Sequence, residues 1–127
     1  MGKKEAIDLL ADNLLNKEYV NDNFKDQVIM RDEAASTAFN KIAIPHSVEM
    51  SAYKTCVSVL IDRKGIVWDD KIVYVVLMIA INKQDRREFK SLYESLVVLF
   101  SEDYNVNSFK ECDSFESFEK TLKSIII

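Results

Sequence analysis

Only two glycines, Gly2 and Gly65, occur among the 127 residues. That scarcity excludes a phosphate-cradling P-loop and a dinucleotide-binding fingerprint, both of which need several glycines close together. There is no Pro/Gly/Ser-rich linker, internal repeat or low-complexity stretch, so the chain reads as one uninterrupted domain. A single histidine and two distant cysteines give no zinc constellation, and neither a metal nor a nucleotide cofactor is expected. Cys56 lies in an apolar run and Cys112 in a polar segment, which gives a disulfide framework no support and suits a reducing, cytoplasmic setting. The longest apolar run, Ile72 to Ile81, is about half the roughly 20 residues of a membrane-spanning helix, and no signal-peptide pattern is present. Membrane insertion is therefore not expected. Ala6 stands where a myristoylation signal needs Ser or Thr. Seventeen basic side chains against 21 acidic ones, a net charge of -4, and no basic cluster argue against direct nucleic-acid binding.

What is present is ample apolar material: 48% of the residues, enough for one core. Ile7, Leu10, Ala11 and Leu14 share a helical face over about Lys4 to Lys17. Phe24, Val28, Arg31 and Ala35 do the same over Asp22 to Ala35, which puts Arg31 at the edge of an apolar face. Ile42-Ala43-Ile44 reads as a short strand that Pro45 ends or redirects, leaving His46 as the first loop residue. Thr55 to Ile61, a turn at Asp62-Arg63-Lys64-Gly65, and Ile66-Val67-Trp68 read as a hairpin. Ile72 to Ile81 is apolar on both faces, as a central strand covered by helices on both sides must be. Phe89, Leu92, Tyr93, Leu96, Leu99 and Phe100 predict a long helix over Asp85 to Ser101. A last helix is predicted behind a capping box at Asp113-x-x-Glu116, with Phe115, Phe118 and Leu122 as its buried stripe. The order α-α-β-β-β-β-α-α predicts an α/β fold, a mixed sheet sandwiched by helices.

Carboxylates are numerous, but Asp32-Glu33, Asp69-Asp70 and the C-terminal glutamates fall where a solvated surface is expected. Attention narrows to the segment in which the only proline directly precedes the only histidine, Ile42-Ala43-Ile44-Pro45-His46-Ser47. A proline and a short strand together fix the position of the imidazole at a sheet end, where α/β proteins commonly build sites. Taken alone, a loop histidine of this kind is more often a surface residue with no task.

Arg31-Asp32-Glu33, Ser36-Thr37 and Ile42-Ala43-Ile44-Pro45-His46 resemble the signature of the mannitol/fructose-type (type 2) enzyme IIA domains of the bacterial phosphoenolpyruvate:sugar phosphotransferase system. The likeness covers nearly the whole chain. It includes the opening helix Glu5-Ala6-Ile7-Asp8-Leu9-Leu10, the strands around Val59 and Trp68, and the run Val75 to Ile81 followed by a long helix. The resemblance implies that His46 takes a phosphoryl group from the histidine phosphocarrier HPr on its outer ring nitrogen, while a backbone carbonyl holds the inner one. An imidazole with a pKa near ~6.5 is mostly neutral at pH 7 and offers the lone pair this needs. The resemblance gives Arg31 the role of stabilising the phosphoryl oxygens; otherwise it is a helix-surface arginine in a salt bridge. Thr37 and Ser47 are hydroxyl candidates for the same shell, or else caps of a helix or turn.

The departures from the family pattern carry information. A second histidine that many transport members place near the start of the long helix is missing from Gln84-Asp85-Arg86-Arg87. Arg86 or Arg87 can replace its charge but cannot shuttle a proton. Between Thr37 and His46 there is one residue fewer than usual, and Asn40 and Lys41 stand where glycines are common, so the loop beside His46 is expected to be altered. The chain starts at the helix where family members start with a strand, as a piece of a longer protein would. These features resemble the enzyme IIA-like C-terminal domain of sugar-operon regulators, antiterminators or activators carrying phosphotransferase-regulated domains. The leading expectation is thus a phosphoryl-accepting regulatory domain, a carrier and not a stand-alone catalyst. It would be phosphorylated on His46 by HPr or an enzyme IIB and would act on neighbouring domains of the parent regulator. The alternatives are a transport enzyme IIA passing the group to an enzyme IIB, and an interaction module that keeps only the fold.

Overall fold

The computed structural model describes residues 1–126. The elements run α1 (Lys3–Asn16), α2 (Phe24–Ala34), β1 (Ala38–Phe39), β2 (Ile42–Ala43), β3 (Cys56–Trp68), β4 (Lys71–Ala80), a 3₁₀ turn (Lys83–Asp85), α3 (Arg86–Phe100), α4 (Asp103–Lys110) and α5 (Phe115–Ile126). The strands form one mixed sheet in the order β1-β2-β4-β3. β4 is its spine, parallel to β2 on one side and antiparallel to β3 on the other. Its side chains alternate between two buried layers. Val76, Met78 and Ala80 pack with Ile7, Leu10 and Leu14 of α1 and Phe24 and Val28 of α2. Val75, Leu77 and Ile79, with Ile81 just beyond the strand, pack with Phe100, Val106, Phe109 and the inner face of α3. The doubly apolar strand and its helix-sheet-helix sandwich are therefore as the sequence predicts.

With glycine so scarce, other residues take the left-handed backbone positions. Glu18 (φ 61°) closes α1. Its N–H bonds to Leu15 O and that of Tyr19 to Leu14 O, which is a Schellman arrangement built without glycine. Asn40 (φ 54°) makes the turn between β1 and β2. Asparagine tolerates this region better than most residues. Its amide also donates to Phe100 O and Asp103 Oδ1, both at 3.0 Å, anchoring the turn to the far helical layer.

Three expectations need correction. Residues Thr55 to Trp68 do not fold back on themselves: β3 is one 13-residue strand, and the reversal comes after it at Asp69-Asp70, leading into β4. The charged stretch Asp62 to Gly65 is a bulge, since Ile61 faces Val75 while Ile66 faces Val73. A short helix, α4, intervenes before the last one; it buries only Val106 and Phe109, too few positions to show a period. The last helix is capped one residue later than expected. Ser114 Oγ accepts from Ser117 N–H at 3.1 Å and Ser117 Oγ accepts from Ser114 N–H at 3.2 Å, so the box is Ser114-x-x-Ser117. Phe115 consequently turns outward and is 76% exposed, whereas Phe118 and Leu122 pack inward.

Gly65 sits in the bulge at φ +93°, and a Cβ there would stand 2.6 Å from Ile72 Cγ2 and 3.2 Å from Tyr74 Cε1. Gly65→Ala is expected to cost about 1–3 kcal/mol of stability. Urea unfolding followed by Trp68 fluorescence checks this: a change within about 0.3 kcal/mol would mean that the bulge relaxes freely.

Candidate functional site

The site is built on the parallel pairing of β2 with β4. Ile42 and Ala43 pair with Val75 and Val76. Ile44 donates its N–H to Thr37 O at 3.1 Å. Pro45 has no N–H to give, yet its carbonyl accepts from Ile79 N–H at 3.0 Å. Pairing therefore resumes beyond the proline, and His46 forms a parallel bridge to Ile79 instead of entering a free loop. The following segment is tied down in turn. Ala52 N–H bonds to Ile81 O at 3.1 Å, and Asn82 links Ala52 O, Thr55 Oγ1 and the 3₁₀ turn.

His46 is buried, with 7% of its surface exposed. Its Nδ1 lies 2.9 Å from Ile44 O. A carbonyl only accepts, so Nδ1 carries the hydrogen, and in the neutral ring Nε2 keeps the lone pair. The ring packs on α3, with centroids 5.0 Å from Phe89 at 51° and 5.5 Å from Tyr93 at 72°. Burial pushes the imidazole pKa below its ordinary value; the bond to Ile44 O works against that, the charge of Arg31 adds to it and the charge of Asp32 opposes it.

Arg31 is half-buried in the last turn of α2, and its Nη1 donates to Ala35 O at 2.7 Å. It forms no salt bridge among the described residues, contrary to its structural reading. Ala35, expected on an apolar face, is exposed; the buried position is Asp32. This carboxylate was expected on the solvated surface. Instead it accepts from Lys3 Nζ at 3.0 Å, Trp68 Nε1 at 3.3 Å, Thr37 N–H at 3.3 Å and the Thr37 hydroxyl. Lys3 also reaches Asp69 at 2.7 Å. One buried anion thus joins the start of α1, the end of α2, the strand β3 and the segment entering β1. Thr37 is buried with its hydroxyl proton committed to Asp32. Ser47 is buried beside His46 and donates to Glu49 O at 2.5 Å, closing the turn after the histidine. Arg86 and Arg87 are exposed in the first turn of α3. That helix leaves the end of β4 nearest His46, so they stand at the same end of the sheet. Phe89 and Tyr93 were read from the sequence only as core positions. The signal was there in their four-residue spacing on the helix that begins where the second histidine is missing.

His46 is the only histidine, so its ring can be followed by NMR without assignment. Its titration midpoint is expected below the ordinary 6.5, with Nδ1 protonated in the neutral form. The unfolded chain then binds the proton more readily. The stability contributed by the neutral ring is fully present above pH 6.5 and is lost as pH falls through the folded-state pKa. A midpoint at or above 6.5 would overturn this description of the pocket.

Residues 1–125 match the family model described as "Phosphoenolpyruvate-dependent sugar phosphotransferase system, EIIA 2". The "Probable licABCH operon regulator" of Bacillus subtilis is 24% identical over 115 residues, covering 90% of this chain but only 18% of that protein. The mannitol-specific phosphotransferase enzyme IIA component of Halalkalibacterium halodurans is 31% identical over 116 residues, covering 88% of this chain and 78% of that one. Among solved structures, the Escherichia coli complex of enzyme IIAMTL with phosphorylated enzyme IIBMTL superposes with a TM-score of 0.80 at 18% identity, over 97% of this chain and 88% of that one, and so shares the fold. With essentially its whole length matched, the chain belongs to the type 2 enzyme IIA family of the phosphoenolpyruvate-dependent sugar phosphotransferase system.

Proposed function

We propose that this domain accepts a phosphoryl group on Nε2 of His46 from HPr or an enzyme IIB and serves as the regulatory domain of a longer, cytoplasmic sugar-operon regulator. The observation that carries the reading is the Nδ1 bond to Ile44 O, which presents Nε2 as the nucleophile. In the transfer, the Nε2 lone pair forms the new P–N bond as the donor's P–N or P–S bond breaks. The electron pair leaves with the donor's imidazole or thiolate, and the hydrogen stays on Nδ1, donated to Ile44 O. Such a step asks mainly for in-line positioning and for charge to balance the phosphoryl oxygens. Arg31 supplies that charge on α2. Arg86 and Arg87 add positive charge at the same end of the sheet, at a helix N-terminus where cations are not favoured for stability alone. Val48, two residues after His46, is 70% exposed, as an apolar contact for a protein donor would be.

The match to a regulator of which this chain spans under a fifth supports the regulatory role. There, about two added negative charges at His46 would change contacts with neighbouring domains. The 31% identity to a stand-alone enzyme IIA component supports a second reading, in which the group is handed on to an enzyme IIB for transport.

Incubation with phosphoenolpyruvate, enzyme I and HPr is expected to add one acid-labile phosphoryl group to the wild-type domain and none to His46→Ala, as read by intact mass. Arg31→Ala should slow uptake by roughly 10- to 100-fold without unfolding the domain. No uptake from phospho-HPr or from a phosphorylated enzyme IIB would sink the proposal. Rapid passage from His46 to an enzyme IIB would favour the transport reading over the regulatory one.

A further inference from the structure

We propose that Phe89 and Tyr93 are positioning residues for His46: their two rings form a wall on α3 that, with Ile44 O on the other side, locks the imidazole with Nε2 free. The inference rests on the acceptor reading of His46 given above, and it assigns the α3 side of the pocket to aromatic packing instead of charge.

The geometry is specific. The three centroids form a compact triangle, with His46 5.0 Å from Phe89, His46 5.5 Å from Tyr93 and Phe89 5.9 Å from Tyr93. All three distances fall in the roughly 4.5–7 Å window in which aromatic rings attract, and the angles of 51°, 72° and 43° are the tilted to edge-on arrangements that such rings prefer. Residues four apart on a helix share a face, so one element delivers both rings. A 180° flip of the imidazole would place a carbon against Ile44 O and lose the 2.9 Å bond, while rotation out of the plane would disturb its packing on the rings 5.0 and 5.5 Å away. Either movement misaligns Nε2, and a misplacement of about an ångström is enough to cost roughly 100-fold in a transfer that depends on alignment.

The same wall keeps water from the ring. The charged groups whose field reaches His46 are Arg31 and Asp32, both on α2, and they act in opposite directions. Exclusion of water is therefore what chiefly holds the ring neutral. Arg86 and Arg87, the only positive charges in the first turn of α3, are exposed, and the face that α3 turns to His46 is aryl.

The test compares Phe89→Leu/Tyr93→Leu, which keeps apolar bulk but removes both rings, with wild type and with Tyr93→Phe. Nitrogen-detected NMR on the single histidine reads its tautomer and midpoint with no phosphoryl donor present. The double variant is expected to show mixed tautomers, a midpoint moved up toward 6.5, and phosphoryl uptake from phospho-HPr slowed by roughly 10-fold or more. Tyr93→Phe, which restores the ring but not the hydroxyl, should recover what Tyr93→Leu loses. Should the double variant fail to fold, the two single leucine variants carry the same readouts. A folded variant with wild-type tautomer, midpoint and uptake overturns the proposal, and so does a Tyr93→Phe as impaired as Tyr93→Leu. Because the spectra need no donor, a wild-type domain that takes up no phosphoryl group would sink the acceptor reading while leaving the wall to be judged by tautomer and midpoint.

Discussion

The parallel ladder between β2 and β4 is the contact on which the rest of the molecule depends. It is short, since β2 has only two residues, but both are fully buried, and the ladder extends past Pro45 through the carbonyl that Ile79 N–H satisfies. A proline costs the ladder one donor, and the pairing lapses at Ile44 and Pro45 before it resumes at His46 in the same register. Ile44 O is then left facing the imidazole instead of a neighbouring strand, and this is what fixes the ring. One backbone arrangement thus continues the sheet and selects a tautomer.

Two different electrostatic strategies meet around that ladder. At Asp32 a buried charge is kept and surrounded by donors: an ammonium, an indole N–H, a backbone N–H and a hydroxyl. Breaking such a set by removing one partner is costly, which makes the cluster a strict specifier of how α1, α2 and β3 meet. At His46 the charge is avoided by burial among apolar rings. The first solution gives rigidity. The second keeps a lone pair available at neutral pH.

Strong periodicity carried most of the fold from sequence alone. The faces of α1 and α3 and the doubly apolar β4 were legible because each repeats over many residues. The turn misread at Asp62 to Gly65 has turn composition, but composition does not distinguish a reversal from a bulge; the partner strand decides that, through the Ile61 and Ile66 register. Asp32 was placed on the surface because a carboxylate reads as solvated unless its donors are known, and Lys3 and Trp68 are far away in sequence. His46 stood out as the only histidine behind the only proline. Phe89 and Tyr93 did not, because an aromatic residue facing a buried histidine and one facing a core have the same spacing on a helix.

The topology also sets when the site can exist during folding. β3 and β4 are joined by the tight turn at Asp69-Asp70, so closing that hairpin costs little chain entropy. β2 must instead return to β4 across the whole of β3, matching Ile42 to Val75. A partly folded chain holding only the hairpin has its largest apolar strand half-covered and no organised histidine. The β2–β4 pairing that places His46 is a long-range one, so an ordered His46 ring is itself a marker that the sheet is complete.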